Sequence, residues 1–277
     1  DGYDDVIVGA PFYDKGQKDE GAAFIYHGSS LGVSIKANVV LEQNQVNAQF
    51  GYSVSSAGDV NGDGYDDVII GSPWYDNRQY DEGLAFVYYG SKNGLSNYRP
   101  YPQLKAFSLL EENQVGSFYG GSVSGAGDVN SDGYDDIIVG WTGWHTFRST
   151  YGAAMIYYGS GGGIKTTGVI LKGNQTKITG FGCSVSSAGD FNGDGYDDIA
   201  IGEYGYSTHN YKGGAAHIYL GSSSGILASK KSVFTHASGG TIGYSVSLAG
   251  DVNGDGYDDV IIGNYNGKIG SGQGYVH

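Results

Sequence analysis

The sequence predicts an all-β fold, a β-propeller built of four-stranded antiparallel blades, and three observations carry the prediction. An acidic nonapeptide recurs four times, starting at residues 59, 128, 190 and 251. Similar strand-like stretches surround each copy in the same order. The 277 residues include 51 Gly and 25 Tyr but only 4 Pro, and 16% are charged. This composition favours short strands joined by glycine turns over helices.

The strand-like stretches of one unit follow a fixed order. A stretch of period two precedes the nonapeptide, as in "FGYSVSSAG" from Phe50 and "FGCSVSSAG" from Phe181, and this alternation predicts a first strand. An apolar run such as "VIIG" or "IAIG" follows the nonapeptide and predicts a second strand that is buried on both faces. A variable loop then leads to a third strand, for example "GAAFIYHG" or "GAAMIYYG".

The fourth strand is the least regular, with "ANVVLEQ" from Ala37 and "TGVILKG" from Thr167 as examples. The counterpart within "PQLKAFSLLEEN" also suits a short helix, and analogy with the other units alone predicts a strand there. The starts of successive nonapeptides are separated by 69, 62 and 61 residues. The longest interval implies an insertion, which we expect near "PQLKAFSLLEEN". This period is too long for one hairpin or a solenoid rung but suits a four-stranded propeller blade.

The whole chain, 1–277, is interpreted as one propeller segment, truncated at both ends. Its repeats are placed at approximately 1–48, 49–117, 118–179, 180–240 and 241–277. The count gives eighteen strands, because the first unit lacks its leading strand and the last lacks its closing one. An open sheet edge invites unwanted pairing. We therefore expect either a segment of a longer ring or incomplete end blades that self-assemble between chains.

The nonapeptide itself has the pattern of a calcium loop. Oxygen-bearing side chains occupy positions 1, 3, 5 and 9, Gly occupies position 6, and Tyr at position 7 offers its backbone carbonyl. Ca²⁺ takes six to eight oxygen ligands, and Gly permits the sharp turn that brings alternate residues together. Four complete loops and a fifth, partial one are predicted to bind Ca²⁺. The predicted ligands are Asp59, Asn61, Asp63, Tyr65 and Asp67; Asp128, Asn130, Asp132, Tyr134 and Asp136; Asp190, Asn192, Asp194, Tyr196 and Asp198; Asp251, Asn253, Asp255, Tyr257 and Asp259; and Asp1, Tyr3 and Asp5.

The nonapeptide has two other possible interpretations, an ordinary turn and an EF-hand loop. Asp, Asn and Gly also favour ordinary turns, but four copies in register argue for a shared ligand set. An EF-hand loop needs Glu at position 12 and flanking helices. Position 12 here lies in the apolar runs and is Ile70, Val139, Ile201 or Ile262. The EF-hand is therefore excluded.

Charge and hydropathy patterns argue against several function classes. The net charge is −14, and 19 of the 29 acidic residues lie in the nonapeptides, four in each complete copy and three in the partial one. Lys and Arg total 15 and form no basic stripe, which argues against nucleic-acid binding. The sequence contains no stretch of 18 apolar residues, so it predicts no membrane-spanning helix. Weak calcium loops fill at extracellular calcium levels, so we expect a secreted or cell-surface location.

The motif "FG…GDVNGDGYDDVIIGSP…G" resembles the FG-GAP repeat of the integrin α-subunit β-propeller and of bacterial relatives. The resemblance covers essentially the whole chain. It implies a seven-bladed ring and an extracellular adhesion or protein-interaction module in which calcium is structural. The match is uneven, because "GAP" at Gly9–Pro11 becomes "GWT", "GEY" and "GNY" in later copies, and the Phe of FG is Tyr119 or Ile242 in two copies.

The loops between the second and third strands should emerge opposite the calcium loops, and they vary most between copies. They are rich in aromatic residues, which are enriched at recognition surfaces. A protein or glycan ligand is predicted there, with Trp74, Trp141, Trp144, His145 and Tyr206 as candidate contacts. The alternative is that these side chains fill the blade cores, and for Trp74, beside Pro73, this alternative is favoured.

Two further functions remain open, a glycan-binding lectin-like propeller and an accessory or assembly module of a larger surface protein or enzyme. Within these residues no nucleophile–base pair, catalytic metal spacing or phosphate-binding glycine loop is found. The sequence therefore predicts a binding protein and no enzyme.

Overall fold

The structure is a computed structural model of the 277-residue chain, and it describes residues 2–92, 94–95, 107–143, 151–173, 179–207, 213–229, 231–235, 240–265 and 273–276. These residues form eighteen β-strands in five antiparallel sheets. No helix, and hence none able to cross a membrane, occurs in this part of the chain. The predicted all-β fold of repeated blades is confirmed.

Each sheet uses strands in sequence order, so that every blade is an up-and-down meander. Blade 1 contains β1 (Val6–Ala10), β2 (Ala22–Tyr26) and β3 (Val39–Leu41). Blade 2 contains β4 (Ser53–Gly58), β5 (Asp67–Ser72), β6 (Leu84–Tyr88) and β7 (Phe107–Leu110). Blade 3 contains β8 (Ser122–Gly127), β9 (Asp136–Trp141), β10 (Ala153–Tyr157) and β11 (Gly168–Lys172). Blade 4 contains β12 (Phe181–Gly189), β13 (Asp198–Glu203), β14 (Ala215–Tyr219) and β15 (Lys231–Phe234). Blade 5 contains β16 (Ile242–Gly250), β17 (Asp259–Asn264) and β18 (Gln273–Val276).

The strand assignments follow the patterns of the sequence. The second strands β9 and β13 are buried along their whole length, as continuous apolar runs require. The uncertain fourth element of blade 2 is the strand β7, while residues 96–106 before it lie outside the described part. Within the described residues the first blade lacks a leading strand and the last lacks a closing one, as expected, and the five sheets do not close a ring.

Neighbouring blades meet through their leading strands. β4 packs against β8, β8 against β12, and β12 against β16. Serine hydroxyls of the "SVS" stretches bridge these strands, since Ser122 Oγ accepts the amide of Val185 at 3.1 Å and Ser184 Oγ accepts that of Val246 at 2.9 Å. The alternation in the leading strands therefore places serines against the next blade.

The hydrophobic core lies between blades, and it explains the invariant glycine of the "VIIG" runs. One cluster joins Ile69 and Val87 of blade 2 to Ile137 and Val139 of blade 3. In the first four blades, a Cβ on the glycine that ends the run would overlap a backbone carbonyl of the next blade. These glycines and the carbonyls they meet are Gly9 with Gly51, Gly71 with Gly120, Gly140 with Gly182 and Gly202 with Gly243.

Candidate metal centre

Each complete nonapeptide joins the first two strands of a blade in the same way. In blade 2 the loop is closed by a bulged pair between Gly58 and Asp67, which lie just before and at the end of the motif. The equivalent pairs in blades 3, 4 and 5 are Gly127 with Asp136, Gly189 with Asp198 and Gly250 with Asp259. Four copies of the motif thus have one backbone frame.

The position-1 aspartate organises the loop with its side chain. In blade 2, Asp59 Oδ1 accepts the amides of Gly62 at 2.7 Å and Asp63 at 3.0 Å, and its Oδ2 accepts the amide of Gly64 at 2.8 Å. The oxygen of Asn61 accepts the same Asp63 amide at 2.9 Å. The side-chain oxygens of positions 1 and 3 therefore point towards the interior of the loop.

The same contacts recur in the other complete loops. Oδ2 of the position-1 aspartate accepts the amide of the position-6 glycine in each of them: Asp128 with Gly133 at 2.7 Å, Asp190 with Gly195 at 2.9 Å and Asp251 with Gly256 at 2.9 Å. The four position-6 glycines have φ between +86° and +91°, a left-handed conformation that L side chains rarely adopt. Gly at position 6 is thus a backbone requirement, as the motif predicted.

The position-9 aspartate closes the loop from the buried side. Asp67 has no exposed surface, and its two carboxylate oxygens accept the amides of Gly90 at 2.7 Å and Val60 at 3.1 Å. Burial raises its pKa to about 7, the two amides lower it, and the nearby charges of Asp63 and Asp59 add to the rise. The pKa values of Asp136 and Asp198 are also raised to about 7, again mainly by burial. Each of these three loops ends in a carboxylate that is costly to ionise without a compensating cation.

One buried oxygen in blade 4 tests the fit to a metal directly. Oδ2 of Asp198 is buried without a hydrogen-bond partner within the described residues. Its counterpart on Asp67 accepts the position-2 amide, whereas the equivalent amide of Phe191 is outside hydrogen-bond geometry and is the smallest influence on the pKa of Asp198. A buried carboxylate oxygen without a donor is a group that a cation would satisfy.

The oxygen atoms that each loop offers are of the types that a hard cation binds. Each loop combines three aspartate carboxylates, an asparagine oxygen and a main-chain carbonyl, which are the oxygen ligands that Ca²⁺ takes. Across the described ranges, no three Asp, Glu, His or Cys side chains converge as a preformed metal cluster. The carboxylates of the loop instead accept hydrogen bonds from its own amides.

The partial loop at the start of the chain repeats only the last of these contacts. Asp1 lies outside the described residues. Asp5 Oδ1 accepts the amide of Gly28 at 2.9 Å, the contact that Asp67 makes with Gly90 in blade 2. Asp5 is exposed, and Tyr3 is 50% exposed.

The candidate ligand contacts fall into different environments. Trp74 is partly buried and packs edge-on between Tyr52 and Phe118, with ring centroids 5.2 and 5.5 Å away. Trp141 ends β9 and is only 3% exposed, packed on the ring of Tyr119. The structure therefore corrects the expectation of a ligand contact for Trp141 in favour of core filling, because its side chain points into the shared core.

Of the remaining candidates, only Tyr206 lies within the described residues. Tyr206 is partly buried and packs edge-on against His217 at 5.6 Å. His217 in turn contacts Glu203 through Nε2 at 2.7 Å, and Thr179 donates its hydroxyl to the same carboxylate. Trp144 and His145 lie outside the described residues.

Two glutamates that sequence reasoning missed hold the opposite loops of blades 1 and 2. Glu20 is fully buried, and its Oε1 accepts the amides of Lys15 at 2.6 Å and Gly16 at 2.8 Å. Glu82 Oε1 accepts the amides of Asn77 at 2.7 Å and Arg78 at 2.6 Å in the equivalent loop. The repeated "DEG" at 19–21 and 81–83 was the available signal.

Comparison with known proteins adds a family and a set of relatives. The FG-GAP repeat model matches residues 1–26, 50–88, 119–152, 181–219 and 242–277. The chain is similar to Integrin alpha-3 of Cricetulus griseus, at 33% identity over 204 residues, 72% of this chain and 18% of the relative. It is similar to Integrin alpha-6 of Gallus gallus, at 35% identity over 156 residues, 56% of this chain and 13% of the relative. Integrin alpha-5 of Xenopus laevis is 31% identical over 218 residues, 75% of this chain and 19% of the relative. The chain thus spans less than a fifth of the length of these relatives.

Proposed function

The chain belongs to the FG-GAP repeat family, and from this premise we propose that it is a calcium-stabilised β-propeller module that binds a protein partner. The observation that carries the proposal is the recurrence of one loop geometry in four blades. In each, the position-1 carboxylate accepts the amide of a left-handed glycine, and the loop ends in a buried aspartate. The similarity to integrin α-subunits supports an adhesive role.

Calcium would be held by the side chains of positions 1, 3, 5 and 9 and by the carbonyl of position 7. When bound, the cation supplies positive charge to carboxylates that repel one another and adds a cross-link between the two ends of the loop. The chain itself supplies the rest of the order. The position-1 side chain fixes the turn, and the position-9 carboxylate ties the loop to the amide that follows the third strand, as Asp67 does with Gly90.

The proposed partner surface lies opposite the calcium loops. Two aromatic groups occur there: Trp74 with Tyr52 and Phe118, and Tyr244 with Tyr204 and Tyr265. Tyr244 is 52% exposed and Tyr265 is 74% exposed, with their rings stacked at 5.2 Å. Exposed tyrosine and tryptophan on a rigid frame are favourable contacts for a protein partner. In this proposal the chain binds a protein partner at the cell surface or outside the cell and catalyses no reaction.

Thermal unfolding tests the calcium part of the proposal. We expect the melting temperature to rise in calcium and fall in chelator, because a ligand at a hundred times its Kd adds about 2.7 kcal/mol per independent site. Asp63→Asn should weaken this response, whereas Asp66→Asn, which removes the same charge from the same loop, should leave most of it. Asp66 is exposed and makes no side-chain hydrogen bond within the described residues. Identical melting curves in calcium and chelator would contradict the assignment.

The binding surface is tested by a matched pair of tyrosines. Beads coated with the chain should adhere to a panel of immobilised extracellular proteins in calcium, and Tyr244→Ala should abolish the adhesion. Tyr65→Ala is the control, because Tyr65 is also exposed, at 37%, but lies in a calcium loop on the other face. Equal loss in the two variants would argue against a partner on the opposite face.

A further inference from the structure

The position-8 aspartate of the nonapeptide is not among the proposed calcium ligands, yet it makes one repeated contact between blades. Its Oδ2 accepts the backbone amide of the position-1 residue in the preceding loop. The three pairs are Asp135 with Asp59 at 2.8 Å, Asp197 with Asp128 at 2.8 Å and Asp258 with Asp190 at 3.0 Å. The amide of position 8 donates back to the position-1 carbonyl at 3.2, 3.4 and 3.4 Å in the same order. Each pair of loops is therefore joined by two hydrogen bonds.

The glycine that precedes position 1 makes room for this contact. Gly58 has φ +71°, and a Cβ there would overlap the carboxylate of Asp135. Gly127 and Gly189 are in the same situation, facing Asp197 and Asp258. Gly250 of the last loop also has a positive φ, but open space surrounds its Cβ position. At three interfaces this glycine is therefore required for two reasons: its backbone has a positive φ, and a side chain would block the carboxylate of the next loop.

A second contact runs beside the first. The ring of Tyr134, at position 7, lies over Gly62 at position 4 of the preceding loop, where a Cβ would stand 2.6 Å from a ring carbon. Tyr257 makes the same contact with Gly193, at 2.5 Å. Consecutive calcium loops therefore pack directly on one another through positions 7 and 8 of the later loop.

The residue that receives this contact is the one that organises the earlier loop. Asp59 binds Gly62, Asp63 and Gly64 through its side chain, while its amide and carbonyl are held by Asp135. Any rearrangement of Asp59 on metal binding must therefore act on the following blade. We propose that the position-8 aspartate is a positioning residue that couples calcium occupancy of one loop to the packing of the next blade. This inference rests on the proposed calcium function.

Asp66 provides a natural control for this coupling. It is the position-8 residue of the first complete loop, and it is exposed and without a side-chain hydrogen bond in the described residues. It also stands directly before Asp67, a proposed ligand of its own loop. Asp135 also lies beside loop 59–67, because its carboxylate accepts the amide of Asp59. Charge loss alone therefore predicts similar effects for the two substitutions, whereas coupling predicts the larger effect for Asp135.

The experiment measures calcium affinity of loop 59–67 in the full chain, with the other three complete loops weakened by Asn130→Ala, Asn192→Ala and Asn253→Ala. Asp135→Ala should lower the affinity about tenfold, since a lost hydrogen bond to a carboxylate is of that order. Asp66→Ala should lower it about threefold or less. Asp135→Asn keeps an acceptor oxygen without the charge and should recover most of the loss. If an alanine variant does not fold, the supporting result is a larger calcium-induced melting shift for Asp135→Asn than for Asp135→Ser, with the shift of Asp66→Ser unaffected.

The outcomes separate the inference from the function on which it rests. If the unaltered chain responds to calcium and Asp66→Ala weakens binding as much as Asp135→Ala, coupling is overturned and the calcium function stands. If Asp135→Asn is as weak as Asp135→Ala, charge alone explains the loss and the positioning role is overturned. A chain whose melting ignores calcium overturns both the proposed function and the coupling.

Discussion

The first and last complete calcium loops share the sequence "DVNGDGYDD" but differ in their surroundings. In loop 59–67 the backbone of Asp59 is held by Asp135 of the next blade. In loop 251–259 the equivalent residue, Asp251, is exposed, and no following blade occurs among the described residues. Their internal hydrogen bonds nonetheless agree closely, for example 2.8 Å from Gly64 to Asp59 and 2.9 Å from Gly256 to Asp251. Local sequence thus determines the shape of the loop, and the neighbouring blade determines how firmly it is held.

The largest expected difference between the two loops concerns the glycine before position 1. Gly58→Ala introduces a Cβ into the carboxylate of Asp135 at a positive φ, whereas Gly250→Ala meets open space at a similar φ. We expect Gly58→Ala to lower the free energy of unfolding by about 3 kcal/mol, from overpacking and backbone strain together, and Gly250→Ala by about 1 kcal/mol from strain alone. Urea denaturation of both variants measures this, and equal losses would show that the contact with Asp135 contributes nothing.

The position-9 aspartates offer the next largest contrast. Asp67→Ala leaves the buried amides of Val60 and Gly90 without acceptors, which should cost about 2–4 kcal/mol. In the last loop Asp259 accepts the amide of Val252 at 2.9 Å and is 7% exposed, so water can reach the freed group more easily. Asp259→Ala should therefore cost about 1–2 kcal/mol. Chemical denaturation in chelator isolates this effect from metal binding, and a larger loss for Asp259→Ala would contradict the comparison.

A pH dependence follows from the raised pKa values of Asp67, Asp136 and Asp198, each about 7 in the folded chain and near 4 when unfolded. Between these values the folded state holds more protons than the unfolded state, so the stability of the metal-free chain should fall as pH rises from about 4 to about 7 and then level off. Calcium should remove much of this loss at neutral pH, and its affinity should weaken below pH 7 as protons compete. Asp251 in the last loop has the opposite effect on the pH dependence of stability, because amide hydrogen bonds, chiefly from Gly256, lower its pKa.

Melting scans from pH 4.5 to 8 in chelator and in calcium check this prediction. Asp67→Asn is the matched variant, because it removes one of the three aspartates whose pKa is about 7 and should make the chelator curve less steep. A metal-free chain whose stability rises from pH 5 to pH 7 would contradict the burial of uncompensated carboxylates in these loops.

The smallest expected effect concerns position 4. Ser131 occupies it in loop 128–136 with φ +56°, where the other complete loops have Gly. Ser131→Gly should stabilise the chain by about 0.5–1 kcal/mol, because it relieves a left-handed non-glycine residue. Gly254→Ser in the last loop, where a Cβ meets nothing, should cost a similar amount. Thermal unfolding of both resolves the signs, and destabilisation by Ser131→Gly would contradict the strain argument.

Much of this architecture was predictable because it depends on local pattern. Period-two stretches, buried apolar runs and the turn chemistry of the nonapeptide predicted eighteen strands in the observed order. The contacts of Asp135 and the burial of Trp141 were not predictable, because each depends on a residue of another blade or strand: Asp59 and Tyr119 respectively. The buried pair of Glu203 and His217 was missed for the same reason, since its members lie on adjacent strands and neither carries a motif.

Isothermal calorimetry of calcium binding to the unaltered chain tests the central claim most directly. The account predicts about four calcium ions per chain from the four complete loops, with proton release that increases as the pH is lowered from 8 to 6.5. It also predicts one fewer ion for Asp63→Ala and an unchanged number for Asp66→Ala. Saturating calcium that produces neither heat nor a change in melting temperature, at any pH in this range, would contradict the claim that these loops are metal sites.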